Sequence, residues 1–260
     1  MLLVLSPAKK LIIPEPDPSR PVTRPELLEQ AATLAKTTRQ LTRAQIRQMM
    51  HLSDNLTDLT FSRFQQLDLA DETMGSPAAL TFAGDVYRGL DAATLSTGEL
   101  NFAQNHVRIL SGLYGLLRPL DTMQPYRLEM GRKIKTKRGE DLYDFWGRRI
   151  SDALNQTLQD HKTPVVINLA SNEYFKSVDQ KALNRTIISP VFKEEKDGQQ
   201  RVLSFFAKQA RGLMARWIIQ NRIDNPADLQ AFEVAGYRFC QGGSDEKPLF
   251  VRPQPAKKAA

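Results

Sequence analysis

The chain has 260 residues, of which 41% are hydrophobic and 25% charged, proportions that are typical of a soluble globular protein. Its 36 Lys and Arg against 29 Asp and Glu give a net charge of +7, which favours an anionic partner without identifying it. Cys240 is the only cysteine, so an intramolecular disulfide is excluded and a reducing compartment is indicated. No apolar run approaches the roughly 20 residues of a membrane span, and the first residues do not resemble a signal peptide. We therefore expect a cytoplasmic protein.

The first quarter of the chain predicts one buried strand followed by helices. Residues 2–5 are apolar and predict the strand, and residues 6–9 predict the loop that leaves it. The prolines of residues 14–25 predict an extended surface connection, and Pro25 suits the start of a helix. In residues 41–64, the spacing of Thr42 and Gln45 indicates a capping box, and the apolar pattern predicts two helices joined by a tight turn.

Two roles are open for this helical pair. Its outline is that of a helix-hairpin-helix, a module that holds DNA phosphates with the backbone amides of its hairpin. The usual glycine–hydrophobic–glycine hairpin is replaced here by residues 51–55, HLSDN. This departure favours a plain pair of helices that covers the sheet.

Residues 108–131, RILSGLYGLLRPLDTMQPYRLEMG, place charged side chains in an apolar and stiff stretch. Pro119 and Pro125 fix φ and remove backbone donors, so one helix cannot run through it. The charged residues include Arg118, Asp121, Arg127 and Glu129. Charges in apolar surroundings need partners, so the stretch predicts either a buried network of ion pairs or a functional site. Residues 127–138 hold six basic residues and one acidic residue, a balance of 6 − 1 = +5.

The elements around this stretch alternate between strands and helices. Residues 79–90 predict a strand that leads into a turn bounded by glycine, residues 97–106 a helix, and residues 107–110 a strand. Residues 142–158 have apolar side chains at helical spacing, and residues 165–169 predict a strongly buried strand. The loop at 170–176 leaves that strand at a position where α/β sheets often place functional groups.

The last third predicts a hairpin, a long helix and two final strands. Residues 187–193 and 201–206 predict an antiparallel pair that turns at Asp197 and Gly198. Residues 207–222 predict a helix with an apolar face and an opposite basic face, and residues 237–240 and 249–252 predict strands. We therefore expect an α+β fold: a mixed buried β-sheet wrapped by helices, in one domain of residues 1–252 with the helical pair near 41–64. Residues 253–260 predict a disordered basic tail.

The motifs of common catalytic and metal sites are missing. His51, His106 and His161 are far apart in the sequence, and the single cysteine has no nearby thiol, so the sequence predicts no metal site. An open alternative is that carboxylates such as Asp85, Asp121, Glu129 and Glu173 converge on Mg²⁺. It also contains no nucleophile-elbow, P-loop or dinucleotide-binding motif, and it predicts no cofactor.

Several ordered motifs resemble those of the YaaA peroxide-stress protein family. They are LSPAK at 5–9, GDVYRGL at 84–90, SGLYGLLRPLD and PYRLEMG at 111–131, LYDFWG at 142–147, NLASNEYFKSV at 168–178 and AKQARGLMARWII at 207–219. The resemblance implies a cytoplasmic protein of the response to hydrogen peroxide that limits damage driven by free iron. It also implies non-specific binding of double-stranded or structured DNA through a basic cleft and a helix-hairpin-helix. We expect a monomer.

The candidate residues fall into two sets. The candidate nucleic-acid-binding residues are Lys9, Lys10, Arg118, Arg127, Lys176, Lys208, Arg211 and Arg216. The residues of a candidate pocket at the strand ends are Ser6, Asp85, Asp121, Glu129, Ser171 and Glu173. The second set supports an alternative, an enzyme that acts on a nucleotide or a nucleic-acid base. A third option is an interaction protein that restrains iron uptake indirectly.

Overall fold

A computed structural model describes residues 1–17, 20–71 and 75–255. The strands are β1 Leu2–Leu5, β2 Ser76–Pro77, β3 Val107–Ser111, β4 Gly115–Leu117, β5 Thr122–Met123, β6 Val165–Leu169, β7 Thr186–Ile188, β8 Val191–Lys196, β9 Gln199–Arg201, β10 Arg238–Ser244 and β11 Lys247–Pro253. The α-helices are α1 Leu28–Arg39, α2 Arg43–Met50, α3 Asp54–Gln66, α4 Ala78–Thr81, α5 Asp85–Leu90, α6 Thr97–His106, α7 Leu142–Trp146, α8 Arg149–Leu158, α9 Asn172–Phe175, α10 Gln180–Leu183 and α11 Ser204–Asn221. Short 3-10 helices span Ala92–Thr94 and Pro226–Ala231.

A five-stranded sheet in the order β4-β3-β1-β6-β7 forms the centre of the α+β fold. Strand β1 runs parallel to β3 and β6, β6 runs parallel to β7, and β4 is antiparallel to β3. All four residues of β1 are buried, because a central parallel strand is covered on both faces of the sheet. Leu5 pairs with Ile109 and Leu169, so the residues that follow β1, β3 and β6 meet at one edge, which we call the carboxyl edge. The residues that precede these strands meet at the opposite, amino edge.

Helix α11 joins the central sheet to a second sheet of order β10-β11-β8-β9. It crosses α5 at a point where Gly89 and Gly212 lie back to back. A Cβ at Gly212 would lie 1.8 Å from the carbonyl oxygen of Val86, and one at Gly89 would lie 2.3 Å from that of Gln209. Only glycine allows the two helices to approach this closely. The glycines of two separate sequence motifs therefore position one helix crossing.

The strands of residues 2–5 and 165–169 and the helix of residues 97–106 are confirmed with their predicted bounds. The capping box of Thr42 and Gln45 is also present, and α2 and α3 form the predicted helical pair. The turn at Asp197 and Gly198 joins β8 to β9, with φ of 52° and 72° at its two positions.

Several predicted segments differ in the structure. The first predicted hairpin arm, residues 187–193, is divided between β7 of the central sheet and β8 of the second sheet. Residues 79–90 were expected to begin as a strand, but they form α4 and α5, and Phe82 alone makes a β-bridge, to Leu11. Gly84 and Asp85 supply an extended N-cap and an acid in the first turn, which favour a helix start over a strand. The second hairpin arm is shorter than predicted because residues 204–206 begin α11.

The first residues of the predicted disordered tail, Pro253 and Gln254, are held against the second sheet. Pro253 belongs to β11, and the amide of Gln254 donates to the carbonyl of Glu195 at 2.9 Å. Residues 256–260 of that tail, and Pro18 of the predicted proline-rich connection, lie outside the described residues. Among the residues that are described, no helix is long and apolar enough to cross a membrane.

Candidate functional site

Hydrogen bonds tie three sequence motifs together at the carboxyl edge. The Ser171 amide donates to Ser6 Oγ at 2.8 Å, and Ser6 Oγ donates to Ser171 Oγ at 3.3 Å. The hydroxyl of Tyr87, in α5, donates to the Ser6 carbonyl at 3.0 Å. The loops that leave β1 and β6 are therefore fixed to each other and to α5. The sequence predicted both serines at this edge.

Three cations surround the buried carboxylate of Glu129, which is 4% exposed. Lys9 Nζ and Arg127 Nη2 lie 3.3 Å and 3.4 Å from Oε1, and Arg132 Nε lies 3.4 Å from Oε2. Burial pushes the pKa of Glu129 upward, but the three cations outweigh it and hold the pKa below its usual value. The group of three cations and one anion keeps a charge of 3 − 1 = +2.

A fourth cation, Arg63, adds to this excess of positive charge. Burial and the like charge of Arg127 lower the pKa of Arg63. Within residues 1–17, 20–71 and 75–255, no hydrogen-bond partner is found for Arg127 Nε or Glu129 Oε2. The cluster of Lys9, Arg63, Arg127, Arg132 and Glu129, hereafter the Glu129 cluster, therefore has the charge to accept an anion. Sequence patterns gave no reason to connect Arg63 of α3 with this edge.

Three buried tyrosines lie beside the Glu129 cluster. Burial, followed by the proximity of the other two, raises the pKa of Tyr87 well above its usual value. Burial also raises the pKa of Tyr126 and of Tyr174, and the charge of Glu129 raises both further. All three hydroxyls stay protonated at neutral pH and can donate hydrogen bonds.

A groove of about 760 Å³ adjoins the Glu129 cluster. It lies between α1 and α2 on one side and residues 131–135 on the other, and we call it the basic groove. Its lining residues are Thr37, Gln40, Leu41, Gln45, Gln48, Met49, His51, Gly131, Arg132, Lys133, Ile134 and Lys135. None of these carries a carboxylate. Arg132 joins the two features, because its Nη1 donates to the Met49 carbonyl at 3.2 Å while its Nε faces Glu129.

The hairpin between α2 and α3 carries two arginines, and each is paired with an aspartate. Arg47 pairs with Asp54 at 2.8 Å, and Arg43 pairs with Asp58 at 2.7 Å. His51 ends α2 in the left-handed conformation with φ of 53°. The positive charge of this region therefore lies in the basic groove beside the pair and not on the hairpin itself.

The basic residues of α11 are less accessible than the sequence predicted. Lys208 is exposed, whereas Arg211 and Arg216 are half-buried. Arg216 Nη1 donates to the carbonyls of Leu90 and Asp91 at 3.0 Å and 2.7 Å, where it caps the C-terminal end of α5. Burial lowers the pKa of Arg211. The expected outer face does not form because α11 is covered by α5 on one side and by sheet strands on the other.

Arg118 and Asp121 form a separate group away from the Glu129 cluster. Arg118 Nη2 lies 2.9 Å from Asp121 Oδ1, and its Nε lies 3.6 Å from Glu26. Thr23 donates to Asp121 Oδ1 at 2.6 Å. For this half of residues 108–131, the structure shows the buried ion-pair network that was one of the two alternatives.

The other predicted site residues lie at or near the carboxyl edge. Glu173 accepts from the Gly131 amide at 3.1 Å, and Asp85 pairs with Arg88 at 3.3 Å. Lys176 Nζ lies 4.6 Å from the centre of the Tyr143 ring. Lys10 is exposed, and its carbonyl accepts from the Ala83 amide at 2.9 Å. These contacts are consistent with structural roles for the side chains of Asp85 and Glu173.

The amino edge of the sheet contains a second polar group that the sequence did not predict. His106, His161 and Asp224 each offer one ligand atom, and these three atoms lie within 4.8 Å of one another. The histidines are far apart in the chain, but each comes shortly before a parallel strand, so the sheet brings them together. The wide separation of these histidines in the sequence led us to expect no metal site, but the fold brings their side chains close together.

A comparison with known protein families identifies the family of this chain. The family described as peroxide stress protein YaaA matches residues 1–242. The chain belongs to this family. It is 54% identical over 264 residues to a UPF0246 protein of Maricaulis maris, with 100% of both chains covered. It is 52% identical to a UPF0246 protein of Phenylobacterium zucineum, with coverage of 100% of this chain and 98% of the relative. A peroxide-stress role fits the family to which the chain belongs.

Proposed function

We propose that this protein binds DNA without sequence preference in the basic groove and the adjoining Glu129 cluster. The proposal rests on one observation: cations line a groove whose lining residues include no carboxylate. Lys133 is exposed. Lys135 forms a surface pair with Glu140 at 2.8 Å, in which both side chains are more than 70% exposed. Surface pairs of this kind contribute little, so a phosphate can compete for the lysine.

The chemistry of the groove fits the DNA backbone better than base edges. Lysine and arginine bind phosphates through charge, and such contacts position a protein on DNA without selecting a sequence. The Glu129 cluster continues the positive potential beyond the groove. Helix α2 forms one wall of the groove together with α1. A helix-hairpin-helix role for α2 and α3 therefore belongs to the same proposal.

Binding of this kind would serve a peroxide-stress protein by shielding DNA. We propose that coverage of the backbone helps limit the oxidative damage that free iron causes. Damage to naked and protein-bound plasmid, exposed to Fe²⁺ and peroxide, can be compared directly. Protection that persists in a variant unable to bind DNA would contradict this role.

The binding test is a double substitution with a matched control. Lys133→Ala with Lys135→Ala removes two groove charges. Lys196→Ala with Lys247→Ala removes two exposed charges from the second sheet. We expect the groove variant to bind duplex DNA more weakly and to flatten the log–log salt slope by roughly 2, at about 0.9 per lost phosphate contact. The control should retain affinity and slope. Equal behaviour of the two variants would remove the groove from the interface.

An enzyme acting on a nucleotide or a nucleic-acid base is the second candidate. It is favoured by the buried Glu129 carboxylate and by the protonated tyrosines beside it. Among the described residues, Glu129 Oε2 accepts no hydrogen bond, although Arg132 Nε lies 3.4 Å away. Incubation with nucleotides and oligonucleotides, followed by mass spectrometry, tests it. Turnover that Glu129→Gln abolishes would support an enzyme, and unchanged substrates would contradict it.

A further inference from the structure

The amino edge of the central sheet holds a compact set of metal-ligand side chains. His106 ends α6 directly before β3, His161 lies between α8 and β6, and Asp224 follows α11. One ring nitrogen of each histidine and one carboxylate oxygen lie within 4.8 Å of one another, and all three residues are half-buried. Half-burial leaves the group open to ions from solvent while excluding much of the competing water.

We propose that His106, His161 and Asp224 bind a divalent first-row transition-metal ion, such as Zn²⁺ or Fe²⁺. Two imidazoles and one carboxylate are a set that such ions favour, whereas Mg²⁺ and Ca²⁺ prefer sites built from oxygen alone. Three protein ligands would leave at least one coordination position open. The proposal is independent of DNA binding, since it concerns the opposite edge of the sheet.

The hydrogen bond of the His106 ring suits metal binding. His106 Nδ1 lies 2.9 Å from the Met1 carbonyl, which can only accept, so this nitrogen carries the proton and Nε2 keeps its lone pair. A ligand histidine usually has this kind of bond from its other ring nitrogen to a carbonyl or carboxylate. The His106 ring also stacks on Phe102, with 3.9 Å between ring centres, which fixes its orientation.

His161 accepts at Nδ1 from the α-amino group of Met1 at 3.1 Å, so the lone pair of that nitrogen points into the group. Burial lowers the pKa of His161 to about 4, and burial also lowers the pKa of His106. Both rings are therefore neutral at pH 7, which is the form that binds metal.

One cation already lies in this group. The Met1 ammonium is 2.6 Å from Asp224 Oδ1 and 3.1 Å from His161 Nδ1, and it competes with a metal ion for both of these ligand atoms. A metal ion that binds here displaces this ammonium from Asp224 or takes the place of one of its protons, which passes to solvent.

The test is Zn²⁺ titration by calorimetry, with Mg²⁺ as the comparison ion. Untagged protein should be used, because a polyhistidine tag binds the same ions. We expect saturable binding of one Zn²⁺ per chain and no saturable binding of Mg²⁺. His161→Gln and Asp224→Asn should each weaken Zn²⁺ binding by at least about tenfold, because each removes one of three ligands. Co²⁺ should give a visible absorption spectrum that both variants lose.

The matched control is His51→Asn. It removes an imidazole from the basic groove, and asparagine tolerates the left-handed backbone of that position. It should bind Zn²⁺ like the unaltered protein. Both ligand variants replace a half-buried side chain, and circular dichroism can verify that each of them folds. Absence of saturable Zn²⁺ binding in the unaltered protein, or undiminished binding in folded His161→Gln, would overturn the proposal.

Discussion

The two edges of the central sheet use polar residues in different ways. At the carboxyl edge, three cations converge on the Glu129 carboxylate, which is 4% exposed, and positive charge remains in excess. At the amino edge, two neutral imidazoles and the Met1 ammonium surround Asp224, whose side chain is 34% exposed. The first edge is arranged to attract anions. The second is arranged to hold a cation.

The edges also differ in how they are assembled. Contiguous motifs supply most of the carboxyl edge: residues 5–9, 126–131 and 168–178 each bring several residues that contact one another. Single residues from three unconnected positions form the amino edge. A site made of contiguous motifs can be recognised in a sequence, whereas one made of isolated residues becomes visible only when the strand register is known.

The largest expected difference between the edges is the cost of removing their carboxylates. Glu129→Ala removes a buried carboxylate and leaves Lys9, Arg127 and Arg132 facing one another, and loss of a buried partner costs about 3–5 kcal/mol. Asp224→Ala breaks a more exposed pair and should cost about 1 kcal/mol or less. Urea unfolding of both variants measures the difference. Equal losses would show that burial does not distinguish the two edges.

The residues around Glu129 show how far sequence alone could reach. Charged residues in an apolar stretch predicted that Arg127 and Glu129 would need partners, and the strand pattern placed Ser6, Lys9 and Ser171 in the loops that leave two buried strands. The approach of Arg63 and Arg132 depends on how α2 and α3 pack against that edge, which no local pattern encodes.

The sequence pattern of helix α11 predicted an exposed basic face that does not form in the structure. Helical spacing separated its basic and apolar residues into two faces, as it does in a solvated helix. The pattern could not reveal that Gly212 would meet Gly89 and bring α5 over the basic side. Arg216 therefore caps a neighbouring helix, although the sequence indicated a phosphate contact.

The stability that Glu129 contributes should be lost at acid pH. The folded-state pKa of Glu129 lies below its usual value of 4.5, so its contribution to stability is present above about pH 4.5. That contribution is lost as the pH falls through the folded-state pKa. Glu129→Gln cannot titrate, so the stability gap between it and the unaltered protein should shrink below pH 4.5. Urea midpoints measured from pH 7 to pH 3 provide the measurement, and a gap that stays constant would contradict the expected ionisation.

A smaller effect is expected for Tyr126→Phe. The Tyr126 hydroxyl lies 2.6 Å from Ser111 Oγ, which also accepts from the Tyr114 amide at 2.9 Å. The substitution removes one buried hydrogen bond while Ser111 keeps its other partner, so it should cost about 1 kcal/mol. Thermal unfolding can measure this cost, with Tyr143→Phe, a less buried tyrosine, as the control. Tyr143→Phe removes the more exposed hydrogen bond from the Tyr143 hydroxyl to the Glu173 carbonyl at 2.9 Å. A loss no larger than that of the control would therefore mean that burial adds nothing to the contribution of the Tyr126 bond.

The smallest stability effect should come from Lys9→Ala. Lys9 faces the same carboxylate as Arg127, but its side chain is 62% exposed and that of Arg127 is 17% exposed. Water and salt screen an exposed pair, so the loss should be about 0.2–1 kcal/mol, and Arg127→Ala should cost more. If the Glu129 cluster also contacts DNA, Lys9→Ala should weaken DNA binding far more than it weakens the fold. Parallel measurement of unfolding and DNA affinity separates these effects. A variant that loses stability but keeps its affinity would assign Lys9 to the fold and confine the DNA interface to the basic groove.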